Sequence, residues 1–268
     1  MICGFKAKHW REMNTTAILQ STEHRSYPIP IGPWIMTQRW SDLLFMHLPL
    51  APEVMRALIP PQIELDIFDG LAWVGIVPFR VSHASLRGLP PPPLLSHFPE
   101  INVRTYVTLR GIPGVYFFSL DAGNPLAVQI ARTVFHLPYF SAQMHIRKEQ
   151  ETIHFQSQRK GTVRTEGTKG PAPAYDALYG PNGPVFFAPR GTLEYWLTER
   201  YCLYTVTEKK RVYRVDIQHG PWPLQMAELT GRCNTMASAQ GIRLPDQPPL
   251  LHFAKQQDVL FWPLRRVL

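Results

Sequence analysis

Two-residue alternation dominates the hydrophobic pattern of this chain. It is cleanest from Ile101 to Leu109, where Ile101, Val103, Val107 and Leu109 face one way and Asn102, Arg104, Tyr106 and Thr108 the other. Trp40 to Leu48 predicts a strand that is apolar on both sides and therefore interior, with Trp40, Leu44, Met46 and Leu48 opposite Leu43, Phe45 and His47. Ile63 to Phe68 alternates with one polar face, and Asp69-Gly70 predicts a hairpin turn into Leu71 to Val81. Gly111 to Gly114 turns the chain into Val115 to Leu120. Further strands are expected at Thr152 to Arg159, at Asp258 to Leu264, and in a hairpin of Cys202 to Thr207 with Arg211 to His219.

Helical periods are short and proline-bounded. Pro52 opens a helix from Glu53 to Ile59, which Pro60-Pro61 ends. Asn124 followed by Pro125 is a helix start, and Leu126, Ala127, Ile130, Ala131 and Val134 form one apolar face behind it. Pro138 stops that helix. From Tyr139 the period switches to two, with Phe140, Ala142, Met144 and Ile146 opposite Tyr139, Ser141, Gln143, His145 and Arg147. This corner is expected to bring Arg132 and Tyr139 together at a binding site. Thr192 caps a helix reaching Tyr201, and Pro223 opens another from Leu224 to about Ala239, ended by Gly241. Gly88 to Pro93 reads as a surface loop and candidate lid, and Gly161 to Pro189 as an irregular excursion. Residues 1–26 are expected to form an N-terminal extension and 27–268 a single domain. About ten strands and three or four short helices make it mainly β, and a curved sheet or barrel handles the strand edges best.

Composition narrows the function classes. Hydrophobic residues are 45% and charged residues 18% of the 268, ordinary for a globular protein, whereas 27 prolines suit many short segments joined by turns. The net charge of +8 permits an anionic ligand, but the basic residues are scattered, with small clusters such as Lys209-Lys210-Arg211 and Arg265-Arg266. A nucleic-acid partner is therefore not expected. Cys3, Cys202 and Cys233 lie too far apart in sequence for a zinc knuckle and are too few for a disulfide framework. No apolar signal region and no apolar run of about 20 residues occurs, so the expectation is a cytoplasmic protein with no membrane contact. The ten histidines show no HxH or HxxxH spacing, and there is no GxGxxG, Walker loop or GxSxG. Neither a metal nor a cofactor is expected.

Several segments carry a resemblance when taken in order. They are Trp40-Ser41-Asp42-Leu43-Leu44-Phe45-Met46-His47, Phe68 to Gly75, Phe98 to Val107, Gly114 to Asp121, Leu137-Pro138-Tyr139-Phe140, Leu197 to Tyr201, His219-Gly220-Pro221-Trp222-Pro223 and Leu250-Leu251-His252-Phe253. Together, from about His24 to the C-terminus, they resemble the YqjF-like family of the acetoacetate decarboxylase-like superfamily. The resemblance implies a fold, a curved antiparallel β-barrel with short peripheral helices and a central pocket, and no function. In acetoacetate decarboxylase a lysine pair follows the corner proline, and one lysine forms the Schiff base, its pKa lowered by its neighbour and by burial. Here Tyr139 and Phe140 stand at those positions, and neither can form an imine. Decarboxylation through a Schiff base is disfavoured.

The resemblance also implies that the Asn102-Arg104-Tyr106 face borders the pocket, beside the origin of the decarboxylase's catalytic glutamate. Arg104 would offer a planar fork to a carboxylate, oriented by Asn102 and Tyr106, with Arg132 also at the ligand. Tyr139 would serve as an acid only if its pKa were lowered, and His47 would titrate near neutrality. Glu199-Arg200 reads as a buried ion-paired strut and His219-Trp222 as a packing corner. The expected function is binding of an organic acid or carbonyl compound, with lyase-, hydratase- or isomerase-type proton transfer. The alternative is a non-catalytic ligand-binding or scaffold protein that keeps the barrel. A homo-oligomer is compatible with either.

Overall fold

The computed structural model describes residues 13–93, 95–161, 163–165, 168–170 and 172–268. The first twelve residues of the expected extension, Cys3 among them, lie outside the described residues. The remainder of that segment forms α1 (Thr15–Gln20), capped by Asn14, and its backbone accepts hydrogen bonds from the Gln218 side chain.

The protein is mainly β. After α1 come β1 (Met36–Leu50), α2 (Pro52–Leu58), β2 (Glu64–Leu65), β3 (Ala72–Leu86), β4 (Phe98–Leu109), β5 (Ile112–Ala122), α3 (Pro125–Phe135), β6 (Tyr139–Glu149) and β7 (Thr152–Arg159). Then follow β8 (Val163–Thr165), β9 (Thr168–Gly170), β10 (Ala174–Pro181), α4 (Leu193–Thr198), β11 (Cys202–Val206), β12 (Val212–Gln218), β13 (Leu224–Asn234), β14 (Leu250–Phe261) and β15 (Arg265–Arg266). Apart from the β8–β9 ribbon, these strands share one sheet in the order β15-β12-β11-β5-β6-β7-β10-β13-β14-β1-β3-β4-β2. Extra pairings of β4 with β5 and of β12 with β14 close this curved sheet on itself in two circuits.

The two circuits share β14, β1, β3, β4 and β5, and this common wall explains why β1 is apolar on both sides. One side of the wall packs a solid core in which Leu44, Met46, Ile101 and Val103 meet Phe155, Tyr175, Tyr179 and Phe253. The other side faces a cavity. Most pairings are antiparallel, but β5 pairs parallel with both β6 and β11. The β5–β6 junction needs a crossover, which α3 supplies. Asn124 caps α3 by accepting from the Leu126 and Ala127 amides, and the helix ends at His136 in the left-handed region before Pro138.

Where β5 and β11 run side by side, Gly114 has no room for a side chain. A Cβ there would stand 2.7 Å from the Cys202 sulfur and 2.8 Å from its carbonyl oxygen. Gly114→Ala is expected to lower stability by about 2 kcal/mol, as an overpacked site does. Gly231→Ala, at a site with open space, is the control for the urea-unfolding comparison.

Two segments depart from the sequence expectation. Residues 224–234 form β13 rather than the start of a helix; only Ser238–Gln240 is helical, as one 3-10 turn ended by Gly241 at φ 74°. The backbone edges of β10 and β14 flank this segment and pair with it, which outweighs its helical propensity. The Gly161–Pro189 excursion contains a strand of the main sheet, β10, whose Tyr175, Ala177 and Tyr179 alternate into the core.

Candidate active site

The cavity lies on the open side of the common wall and has a volume of about 390 Å³, within the range of small-molecule sites. Its lining comes from β1, β3, β4, β5, α3, β11, β12 and β14, the β3–β4 loop, the start of β6 and the segments after α4 and β12. Two breaks in alternation shape it. In β1, Met36, Gln38 and Trp40 line it, and then Leu43 and Phe45 do. Asp42, at φ 54°, lies at the change of face, and the β1–β3 register shifts between Ser41 and Met46. In β5, Leu120 lines it and then Phe117 and Val115 do, because the β4–β5 register jumps from Val103–Ser119 to Arg104–Phe117. Phe118 is left on the core side. Strict alternation, which would group Trp40 with Leu44, fails at such bulges.

On β4 the alternation holds and supplies the polar groups. Glu100, Asn102 and Arg104 line the cavity, and Tyr106 lies behind Arg104. Glu100 is buried, and its Oε2 accepts a hydrogen bond of 3.0 Å from the Tyr139 hydroxyl. Burial pushes the Glu100 carboxyl up to about 8; the Tyr139 hydrogen bond opposes that shift and nearby Asp121 adds to it. Burial, followed by the proximity of Glu100, pushes the Tyr139 phenol well above its usual range. The condition for Tyr139 to act as an acid near neutrality is thus not met. The group whose pKa is moved towards neutrality is Glu100, which lies one residue upstream of the strand start read from the sequence and on the same period as Asn102 and Arg104.

Asn102 and Arg104 sit on the cavity wall with unpartnered buried atoms, the Asn102 Oδ1 and the Arg104 Nε. Tyr106 serves as a platform. Its hydroxyl is hydrogen-bonded to His47 Nε2 at 2.7 Å, and its ring has Arg104 Cζ at 5.8 Å and Arg200 Cζ at 5.0 Å from its centroid. His47 is fully buried, does not line the cavity, and is held well below the usual imidazole range by burial and by Arg104. It stays neutral rather than titrating near pH 7.

Arg132 is exposed on α3 and does not line the cavity, so the structure does not bring it to Tyr139 at the site. Successive helical residues are about 100° apart, and it is Ala127, Ile130 and Ala131 that face the cavity. Arg200, read from the sequence as half of a buried ion pair with Glu199, is ion-paired with Asp66 instead and also lines the cavity. Its Nη1 bonds Asp66 Oδ2 at 2.5 Å and its Nε donates to the Trp196 carbonyl, while Nη2 is buried without a partner. The Asp66 pairing, 134 residues away in sequence, helps to place it here, together with the Trp196 carbonyl and ring.

His24, Glu199 and His219 gather their ligand atoms within 4.8 Å, a set drawn from separate segments that no spacing rule could find. Each already has a protein partner. Glu199 accepts from the Tyr201 hydroxyl and the Trp222 amide, His24 Nε2 meets the His219 carbonyl, and His219 Nδ1 meets the Gly220 carbonyl. Burial holds His219 down at about 3. This set ties the N-terminal segment to the corner after β12.

The family model described as an uncharacterized conserved protein, DUF2071, matches residues 37–258. The chain belongs to the DUF2071 family. A relative, the uncharacterized protein YqjF of Bacillus subtilis (strain 168), is 48% identical over 244 residues, covering 91% of this chain and 97% of the relative. Among solved structures, acetoacetate decarboxylase from Legionella pneumophila aligns with TM-score 0.56 at 13% identity over 98% of both chains. The enduracididine biosynthesis enzyme MppR, complexed with a condensation product of pyruvate and imidazole 4-carboxaldehyde, aligns with TM-score 0.57 at 11% identity over 88% of this chain and 90% of its own. At these identities the two structures establish a shared fold for this DUF2071 member. Tyr139 bonds Glu100, and the Phe140 ring carries Arg159 at 3.8 Å. Among the described residues no lysine lines the cavity, and Lys148 is paired with Asp42 at 2.7 Å.

Proposed function

We propose that this protein is an enzyme that moves a proton on an organic acid or carbonyl compound, without forming a Schiff base. The observation that carries the reading is Glu100, a carboxyl in a cavity wall with its pKa raised to about 8 and a phenol donating to it. A carboxyl tuned close to neutrality can give a proton to a carbonyl oxygen and take one from the adjacent carbon, the task of a general acid and base. Arg104 holds the ligand's carboxylate. Tyr139 stays protonated and fixes the orientation of Glu100. The two enzymes named among the structural neighbours, MppR and acetoacetate decarboxylase, support small-molecule chemistry in this fold.

The test is deuterium uptake from D2O into a panel of keto and hydroxy acids, followed by NMR. Exchange is expected in one or more panel members, to fall at least 100-fold in Glu100→Gln, and to decline above pH 8 as the acid form is lost. Exchange at the wild-type rate in Glu100→Gln, or exchange in no panel member, overturns the proposal. So does a borohydride-trapped adduct with the active substrate, because the mass is expected to stay unchanged.

A further inference from the structure

The cavity is polar at its buried end and apolar where it meets solvent, the reverse of a site that admits a polar ligand by its polar rim. Glu100, Asn102 and Arg200 are each no more than 6% exposed. The lining residues Leu86, Leu89 and Ile130 are 56%, 60% and 40% exposed. Between the two ends the wall is aromatic and aliphatic. Two guanidinium groups flank one Tyr106 ring at the buried end, and each has a buried nitrogen without a partner, Arg104 Nε and Arg200 Nη2. Arg200 is already neutralised in part by Asp66, so the pair carries roughly one uncompensated positive charge, matched by a single carboxylate. Asn102 adds an amide that can present either its oxygen or its NH2 to a group beside that carboxylate.

We infer that the ligand is an amphiphilic monocarboxylic acid that enters carboxylate first, its acid group held by Arg104 and Arg200 and its apolar body filling the cavity towards Leu86, Leu89 and Ile130. This deepens the reading of the preceding section and rests on its assignment of the cavity as the ligand site. Arg200 is thereby a binding residue for the acid group. An apolar body gives the aromatic wall a role that a short keto acid would leave unused, since affinity gained per buried methylene is about fourfold.

Calorimetric titration of the wild-type protein with acetate, butyrate, hexanoate and octanoate tests the apolar body without any mutation. Affinity is expected to climb about two- to fourfold per methylene across the series. A flat series, with acetate binding as well as octanoate, overturns the proposal. Titration of Arg104→Gln and Arg200→Gln with octanoate and with 1-octanol tests the acid end. Octanoate is expected to weaken at least tenfold in each variant and 1-octanol to be unchanged. Equal losses for acid and alcohol, or no loss for either, overturn the role of the arginines. Binding is read independently of turnover, so a protein that binds octanoate but exchanges no deuteron refutes the proton-transfer reading and leaves this one standing.

Discussion

Glu100→Gln is expected to make the protein more stable, and by an amount that grows with pH. The carboxyl has its pKa raised on folding, from about 4.5 to about 8. Its contribution to stability is therefore fully present below pH 4.5 and is lost as pH rises towards 8. In that window wild-type stability falls relative to the glutamine variant by about 1.4 kcal/mol per pH unit, levelling off above pH 8 at a ceiling of roughly 4–5 kcal/mol. Glutamine keeps an oxygen for the Tyr139 hydroxyl and carries no charge to desolvate. Urea unfolding of both proteins at pH 5, 6, 7 and 8 checks this, and a difference that does not change with pH rules it out. The same substitution is expected to remove deuterium exchange, so activity and stability oppose one another at this residue.

Arg159→Leu is expected to cost about 3–5 kcal/mol, the usual result of leaving a buried charge without its partner. Arg159 holds Asp121 with two hydrogen bonds, Nε to Oδ2 at 2.7 Å and Nη2 to Oδ1 at 2.6 Å, and both side chains are almost completely buried. Asp121 pairs with Phe140 across the parallel β5–β6 junction, so the fork secures the corner that presents Tyr139. Adding Asp121→Asn to the arginine variant is expected to restore most of the loss, since no charge is then stranded. Loss of less than about 1 kcal/mol in the single variant, or no recovery in the double, shows that the fork does not hold the corner. Because Asp121 also pushes the Glu100 pKa up, the single variant is expected to shift the alkaline limb of the exchange profile to higher pH.

Much of this arrangement was legible in the residues themselves. Asn124-Pro125 and Pro138 mark α3 and the corner through local backbone chemistry, and the alternation around Ile101 to Leu109 shows which face of β4 carries Asn102 and Arg104. What escaped depended on partners distant in sequence. Arg200 reaches the cavity by way of Asp66, His47 is silenced by burial against Tyr106, and β13 takes its shape from the edges of β10 and β14. Glu100 was within reach, two steps further along a period already recognised, but Pro99 obscured the strand's start.

The change of face within β5 has a consequence for which side chains form the cavity. Phe117 belongs to the cavity wall and Phe118 to the packed core, and the register jump at this point decides which is which. Were the strand regular here, strict alternation from Leu120 would put Phe118 and Tyr116 on the cavity wall in place of Phe117 and Val115. The register at residues 117–118, as much as side-chain identity, therefore sets which rings form this part of the cavity.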